Sequence, residues 1–392
     1  MASIVLILVY AAQVVLTGFL TDLCLRWWYW TGGVAAGARR YWMTVFTLLA
    51  LLPVFGAFLP DSRVKSALQG AGNIWLGFFI YYGGILLMLM ILMGIRHLVL
   101  HAGGGLWPGA VLCTSLALAL AVTVCGLIHA QQTKVKRFDI AVGKPAGETR
   151  EMKLVLIADL HLSVNSKLST TQRMVELINR EEPDAVVVAG DIFTSSYAGL
   201  ANPEAYAQAL SGIRSKYGVF AVYGNHDVEE TLFGGFPISP VSRAFRTAQM
   251  DAFLQRCGFR MLADETVRLG ESVQLAGRID GDKAGDGTAN RMSAAELLKG
   301  ADRSLPVLVL EHEPREFLAL AQAGADAVLC GHTHNGQLFP GNLIIPLFNE
   351  NAYGLKTIAG ISTLVTAGVG YYGPPMRVGT DSEITVVNLH FQ

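Results

Sequence analysis

The pattern of apolar and polar positions changes character once along the chain. Before about residue 130 it consists of four long apolar runs, at 4–20, 43–59, 74–95 and 106–128, none with a Lys, Arg, Asp or Glu inside. Each is near the roughly 20 residues that a helix needs to cross a hydrocarbon core. The pattern predicts a four-helix transmembrane domain over residues 1–130. The first run has no basic residue ahead of it and three more runs behind it, so it reads as a retained span and not as a cleaved leader. Trp27, Trp28, Tyr29, Trp30, Tyr41, Trp42, Trp75 and Trp107 fall near run ends, where amphipathic rings favour the headgroup region. Pro53 is expected to kink the second span, and Gly83 and Gly84 to admit a neighbouring helix at the third. With no charge inside a run, an anchor is a better reading than an ion path.

After a linker or lead-in strand at 131–152 the period shortens. Buried-strand runs appear at 153–159 (KLVLIAD), 185–191 (AVVVAGD), 219–227 (VFAVYGNHD), 273–277 (VQLAG), 306–312 (PVLVLEH) and 327–334 (AVLCGHTH). Between them lie helical stretches such as 170–182, stopped by Pro183, and 203–216, opened by Pro203. Strand and helix in alternation predict an α/β domain over 153–392. The late runs at 363–368 and 383–389 have no helix between them and are expected to pair antiparallel.

Composition sharpens this division. Charged residues make up 16% of the chain, against about 25% in a soluble domain, and only eight of them occur before residue 131. Disorder is excluded by the 52% hydrophobic content. The remainder carries 24 basic against 29 acidic side chains, which excludes a large basic nucleic-acid surface. Five scattered cysteines without a CxxC pair signal neither a disulfide framework nor a zinc ribbon. Lys and Arg counts near the span ends are a draw between the two sides of the membrane.

The candidate chemistry sits at strand ends. Asp159, His161, Asp191, Asn225, His226, His312, His332 and His334 each follow an apolar run closely, and ligands of open α/β sheets gather outside the carboxyl ends of strands. Carboxylate, imidazole and one amide oxygen, with no thiolate, suit two divalent ions such as Mn, Fe or Zn. Such a pair clamps a phosphoryl group and lowers the pKa of a bridging water. Asp184, Asp264 and Asp326 read as caps and turns. Asp280 and Asp282, in RIDGDKAGDG, lack the Glu that would close a calcium loop and read as a flexible turn. His97, His101 and His129 read as interfacial.

D-x-H at 159–161, G-D at 190–191, G-N-H-D at 224–227, His312 and G-H-T-H at 331–334 resemble, in that order, the calcineurin-like metallophosphoesterase superfamily. GHTHNGQ followed by GVGYYGPPMRVG (368–379) is similar to its membrane-associated or exported phosphodiesterase branch. The resemblance implies an α/β β-sandwich metallophosphoesterase domain. It implies that Asp159, His161 and His334 hold one ion and Asn225, His312 and His332 the other, with Asp191 bridging. His226 would sit by the leaving oxygen as proton donor or charge stabiliser, oriented by Asp227. Two departures stand out: Asn335 where that branch is expected to have Gly, and Glu311 and Glu313 around His312.

Apolar loops at 228–246 and 338–354 follow GNHD and GHTHNGQ directly. Together with four spans, they point to a phospholipid or lipid-linked phosphate as substrate and the bilayer as partner. The expectation is therefore a multi-pass protein of the plasma (inner) membrane, its catalytic domain on the extracytoplasmic side, hydrolysing phosphodiesters or phosphomonoesters. A non-catalytic receptor or scaffold with a structural metal site is weakened by His226, which such a protein has no reason to retain. A membrane protein phosphatase is weakened by the lack of an evident Arg beside the GNH motif.

Overall fold

The structure, a computed structural model, describes residues 2–30, 35–59, 62–100 and 108–392. These divide into two compact units. One holds the chain to Ile128 together with Leu232–Ile238 and Gly373–Met376; the other holds the rest.

The first unit is built on α1 (Ala2–Trp30), α2 (Ala36–Ala50), α3 (Leu52–Phe58), α4 (Arg63–Leu100) and α5 (Pro108–His129). Four stretches, Ile7–Trp30, Gly37–Phe58, Arg63–Arg96 and Pro108–His129, are long and apolar enough to cross a membrane. The first reaches past the apolar run and takes in Asp22, which pairs with Arg26 at 2.8 Å and with Arg39. The second span breaks at Leu51, where Pro53 removes an amide donor and separates α2 from α3. Gly83 lets α1 approach, since a Cβ there would lie 2.7 Å from Thr17 Oγ1; Gly84 faces open space. Trp75 departs from the expectation of an interfacial ring. Twelve residues into α4, it stacks on Phe79 at 5.5 Å and meets Phe46 at 6.2 Å, inside the helix packing. Trp107, His101 and the side chain of His97 lie outside the described residues.

The second unit contains twelve sheet strands: β1 (Thr133–Val142), β2 (Glu151–Ile157), β3 (Ala185–Ala189), β4 (Val219–Val222), β5 (Phe259–Met261), β6 (Glu265–Leu269), β7 (Val273–Gly277), β8 (Val307–Leu310), β9 (Ala327–Cys330), β10 (Gly354–Ile358), β11 (Ile361–Val365) and β12 (Ser382–Phe391). One sheet has the order β1-β12-β2-β3-β4-β5 and the other β10-β11-β9-β8-β7-β6. The central strands β2, β3 and β4 run parallel, as do β7, β8, β9 and β11.

Successive side chains of a strand point to opposite faces, and β2 shows the consequence. Leu154 and Leu156 enter the apolar layer between the sheets with Val187, Leu308 and Leu329. Val155 and Ile157 face helices Leu168–Arg180, Pro203–Ser211 and Ala248–Arg256. The outer face of the second sheet is covered by Ala294–Leu297 and Phe317–Ala323. The two late runs do not pair with each other. β11 joins β9 and β10, whereas β12 lies between β1 and β2 in the other sheet. Sequence adjacency is a weak guide once two sheets compete for each apolar strand.

Candidate metal centre

All eight candidate residues lie just beyond the carboxyl ends of five strands: Asp159 and His161 after β2, Asp191 after β3, Asn225 and His226 after β4, His312 after β8, and His332 and His334 after β9. The two sheets thus deliver their ligand-type side chains to one edge. The loops are tied together by backbone bonds, Asp159 N to Gly190 O at 2.9 Å and His161 N to Asp191 O at 3.0 Å. Tight turns are required there. Asp159, His161, Asp191, His332 and His334 all have φ between +46° and +77°, a region that costs non-glycine residues roughly 1–2 kcal/mol each and persists where surrounding structure enforces it. Gly190 (φ +78°) allows a close approach, because a Cβ would stand 2.7 Å from Gly224 N and 2.9 Å from His312 Nδ1.

Two groups of ligand atoms converge. Asp159, His161 and His334 form one, and Asp159, Asp191 and His312 the other, with atoms within 4.8 Å of one another in each. His161 Nε2 is 3.0 Å from His334 Nε2. Asp159 is common to both groups, and Asp191 Oδ2 is 3.1 Å from His312 Nε2 and 3.6 Å from His161 Nε2. Asn225 Oδ1 lies 3.1 Å from His312 Nε2 and 3.2 Å from His332 Nδ1.

This donor set fits cations. His312 Nδ1 donates to Ala189 O at 2.7 Å and Nε2 faces Asp191 Oδ2 at 3.1 Å. Burial opposes charge on this ring, yet Asp191 holds it well above the usual imidazole range. Positive charge therefore belongs between the two atoms, where a cation would take the place of the Nε2 proton. Burial pushes His161 down to about 4 and His332 to about 3, and carries His334 well below the usual imidazole range. Neutral imidazole is the form that binds metal. Burial also pushes Asp159 up to about 7, with neighbouring Asp191 adding to it. Burial opposes the charge on Asp191 too, yet His312 beside it holds that carboxyl well below the usual range.

The GNHD loop is held in a way the motif does not announce. Asp227 accepts from Phe193 N and Gly224 N, both at 2.8 Å, fixing the backbone on either side of the centre. His226 N donates to Asp191 Oδ1 at 2.8 Å, its Nδ1 lies 3.0 Å from Ser195 Oγ, and the Tyr372 ring packs on it at 4.5 Å. Ser195, Thr194 (3.1 Å from His161 Nδ1) and Arg377 were absent from the candidate set. Ser195 and Thr194 lie within five residues of Asp191, and that proximity is the only sequence signal they carry. Arg377 is fully buried and donates to the carbonyls of His334 (3.0 Å), Ala367 (2.7 Å) and Gly370 (2.6 Å). It builds the loop and is not poised for a phosphoryl group.

The two departures have local causes. Asn335 occupies φ +50°, ψ +33°, the left-handed region that Asn enters more readily than most residues. Glu311 is buried against Arg278 and Arg291 at 3.3 and 3.4 Å. Asp280 is no flexible turn: it is 2% exposed, and its Oδ1 accepts from Asp282 N and Lys283 N. Asp184, Asp264 and Asp326 accept backbone amides as caps, and His129 meets Asp381 at 2.9 Å.

A profile of calcineurin-like phosphoesterases matches residues 152–336. An uncharacterized metallophosphoesterase of Aquifex aeolicus is 31% identical over 65% of this chain and 91% of its own length. A transmembrane protein with metallophosphoesterase domain from Bos taurus is 31% identical over 69% of this chain and 61% of its own. An uncharacterized metallophosphoesterase of Campylobacter jejuni is 28% identical over 61% and 59%. The chain therefore spans about three-fifths of the length of the last two.

Proposed function

The chain belongs to the calcineurin-like metallophosphoesterase family, and from that premise we propose that it is a membrane-bound, two-metal hydrolase of phosphodiesters or phosphomonoesters, acting on a lipid or lipid-linked headgroup. The observation that carries the reading is the convergence of Asp159, His161, Asp191, His312 and His334 in two overlapping ligand groups, with Asn225 and His332 beside them. Asp159, His161 and His334 would hold one ion, Asn225, His312 and His332 the other, and Asp191 would serve both. Divalent ions of the Mn, Fe or Zn type supply Lewis acidity, lowering the pKa of water and neutralising phosphoryl charge.

The chain's own residues do the rest. Asp191 and Asp159 concentrate negative charge where cations are needed. His226, anchored through its backbone to Asp191, passes a proton to the leaving oxygen. Asp227 keeps that loop in place. Burial of the centre excludes bulk water and strengthens each of these interactions.

Support for a lipid substrate comes from two further features. The four apolar spans are long enough to cross a bilayer, and the segment after His334 leaves Phe339, Leu343 and Ile344 exposed, with Leu347 and Phe348 each 77% exposed. A cluster of large apolar side chains open to solvent marks an interaction surface. The domain is proposed to act on the extracytoplasmic side of the plasma membrane.

The test is hydrolysis of bis-p-nitrophenyl phosphate, p-nitrophenyl phosphate and phospholipid vesicles by detergent-purified protein with Mn, Fe, Zn or chelator. Metal-dependent turnover that chelator abolishes is expected. The double variant Leu347→Ser, Phe348→Ser is expected to lower the ratio of vesicle to soluble-ester turnover by about tenfold. An unchanged ratio removes the lipid-contact reading, and absence of turnover under every metal removes the hydrolase.

A further inference from the structure

Behind His226 runs a chain of buried polar groups that the ligand set does not use. Ser195 Oγ, 3.0 Å from His226 Nδ1, donates to Glu230 Oε2 at 3.2 Å. Lys283 Nζ donates to the same Oε2 at 2.6 Å. Ser195 is fully buried, and the Glu230 side chain is 0% exposed. Glu230 Oε1 has no hydrogen-bond partner among the described residues. Backbone bonds lock the same three elements, Ser195 N to His226 O and Glu230 N to Ser195 O, both at 2.9 Å. Ser195 holds φ +48° to make this possible. Taking a carboxylate fully out of water beside a largely covered ammonium is unfavourable before their attraction is counted, so the arrangement calls for a reason.

The proton inventory fixes the direction of the chain. The Glu230 carboxylate, paired with Lys283, only accepts. Ser195 has one proton, which therefore goes to Glu230, and its oxygen lone pair must accept Nδ1–H of His226. That fixes the ring orientation and keeps a proton on Nδ1, so Nε2 is the nitrogen that takes up and releases the transferred proton. Tyr372, packed on the ring face at 4.5 Å, restricts its tilt.

We propose that Ser195, Glu230 and Lys283 form a positioning relay that holds His226 as the proton donor to the leaving oxygen, an inference that rests on the hydrolase reading above. The step balances as follows. His226 enters the step after taking a proton from solvent at Nε2, so that both ring nitrogens are protonated. The oxygen of a hydroxide forms its bond to phosphorus, the bond from phosphorus to the leaving oxygen breaks with its electron pair on that oxygen, and the Nε2 proton passes to it. His226 is left neutral with Nδ1–H still given to Ser195.

The experiment compares two esters that differ in the need for that proton: bis-p-nitrophenyl phosphate, whose leaving group departs readily as an anion, and diphenyl phosphate, whose leaving group is poorer. The full-length detergent-purified chain is used with Ser195→Ala and Glu230→Gln, and bound metal and thermal midpoint are recorded for each. General acid catalysis typically contributes about 10²–10⁴-fold, and a mispositioned acid forfeits part of it. The expected result is a loss of at least tenfold on diphenyl phosphate and under threefold on bis-p-nitrophenyl phosphate, with metal content unchanged. Equal losses on both esters, loss of metal, or no loss on either overturns the relay while the hydrolase stands. No turnover of either ester by the unmodified protein overturns both.

Discussion

Replacing Asp191 separates its two jobs. Oδ2 lies 3.1 Å from His312 Nε2 and 3.6 Å from His161 Nε2, while Oδ1 accepts the His226 amide at 2.8 Å. Asp191→Ala removes both. A buried amide left without a partner costs about 1–3 kcal/mol, which for a domain of this size lowers the thermal midpoint by roughly 2–12 °C at about 2–4 °C per kcal/mol. Asp191→Asn keeps an oxygen for that amide, so its midpoint should fall less than that of the Ala variant, yet the charge proposed to bridge the two ions is gone. An ion contributes several kcal/mol to stabilising transition-state charge, and at 1.36 kcal/mol per decade a loss of about 4 kcal/mol is close to 10³-fold. Both variants should therefore lose about that much turnover. Midpoints with and without chelator, bound metal by elemental analysis, and hydrolysis of p-nitrophenyl esters give the three readouts. Asp191→Asn with a full metal complement and undiminished turnover would refute the assignment of the bridging role. Equal midpoints for the two variants would refute the role given to the His226 amide.

Gly190→Ala should destabilise through both backbone and contact, because φ is +78° and the new Cβ would press on Gly224 N and His312 Nδ1. A midpoint drop exceeding that of Gly218→Ala, where φ is +102° but nothing lies within 4 Å, together with weakened metal binding, is the expected pattern in a melting and metal-titration series. Asp381 yields a pH prediction. Burial pushes its carboxyl up, but bonds from Lys134 (2.7 Å), Lys136 (3.1 Å) and His129 (2.9 Å) outweigh this and bring it to about 2. A depressed folded-state pKa contributes stability above the ordinary value of 3.8 and loses it as pH falls toward 2. The midpoint of the unmodified protein should drop across that window more steeply than that of Asp381→Asn. Asp381 and its three partners are all partly exposed, so the difference should shrink at high salt.

Hydropathy and spacing alone determined the four spans, the α/β layering and the edge at which the ligands collect. The physical reason is that long apolar runs have few options other than a bilayer, and short buried strands must end where polar residues begin. GNHD and GHTH signalled a candidate metal site because their residue types are those that ligate ions. Strand pairing was not legible, since 361–365 and 382–391 are each apolar enough for either sheet and only the packed sandwich assigns them. Trp75 read as interfacial because aromatic rings suit a headgroup region and a helix interface equally well. The surroundings of His226 were also hidden. Ser195, Glu230 and Lys283 are ordinary polar residues spread over 89 positions of sequence, and Lys283 reaches Glu230 only because Asp280 closes a buried turn. Side chains that act on a substrate or a metal are constrained in type and leave a motif. Those that hold them in place are constrained only in position, and position is set by the tertiary fold.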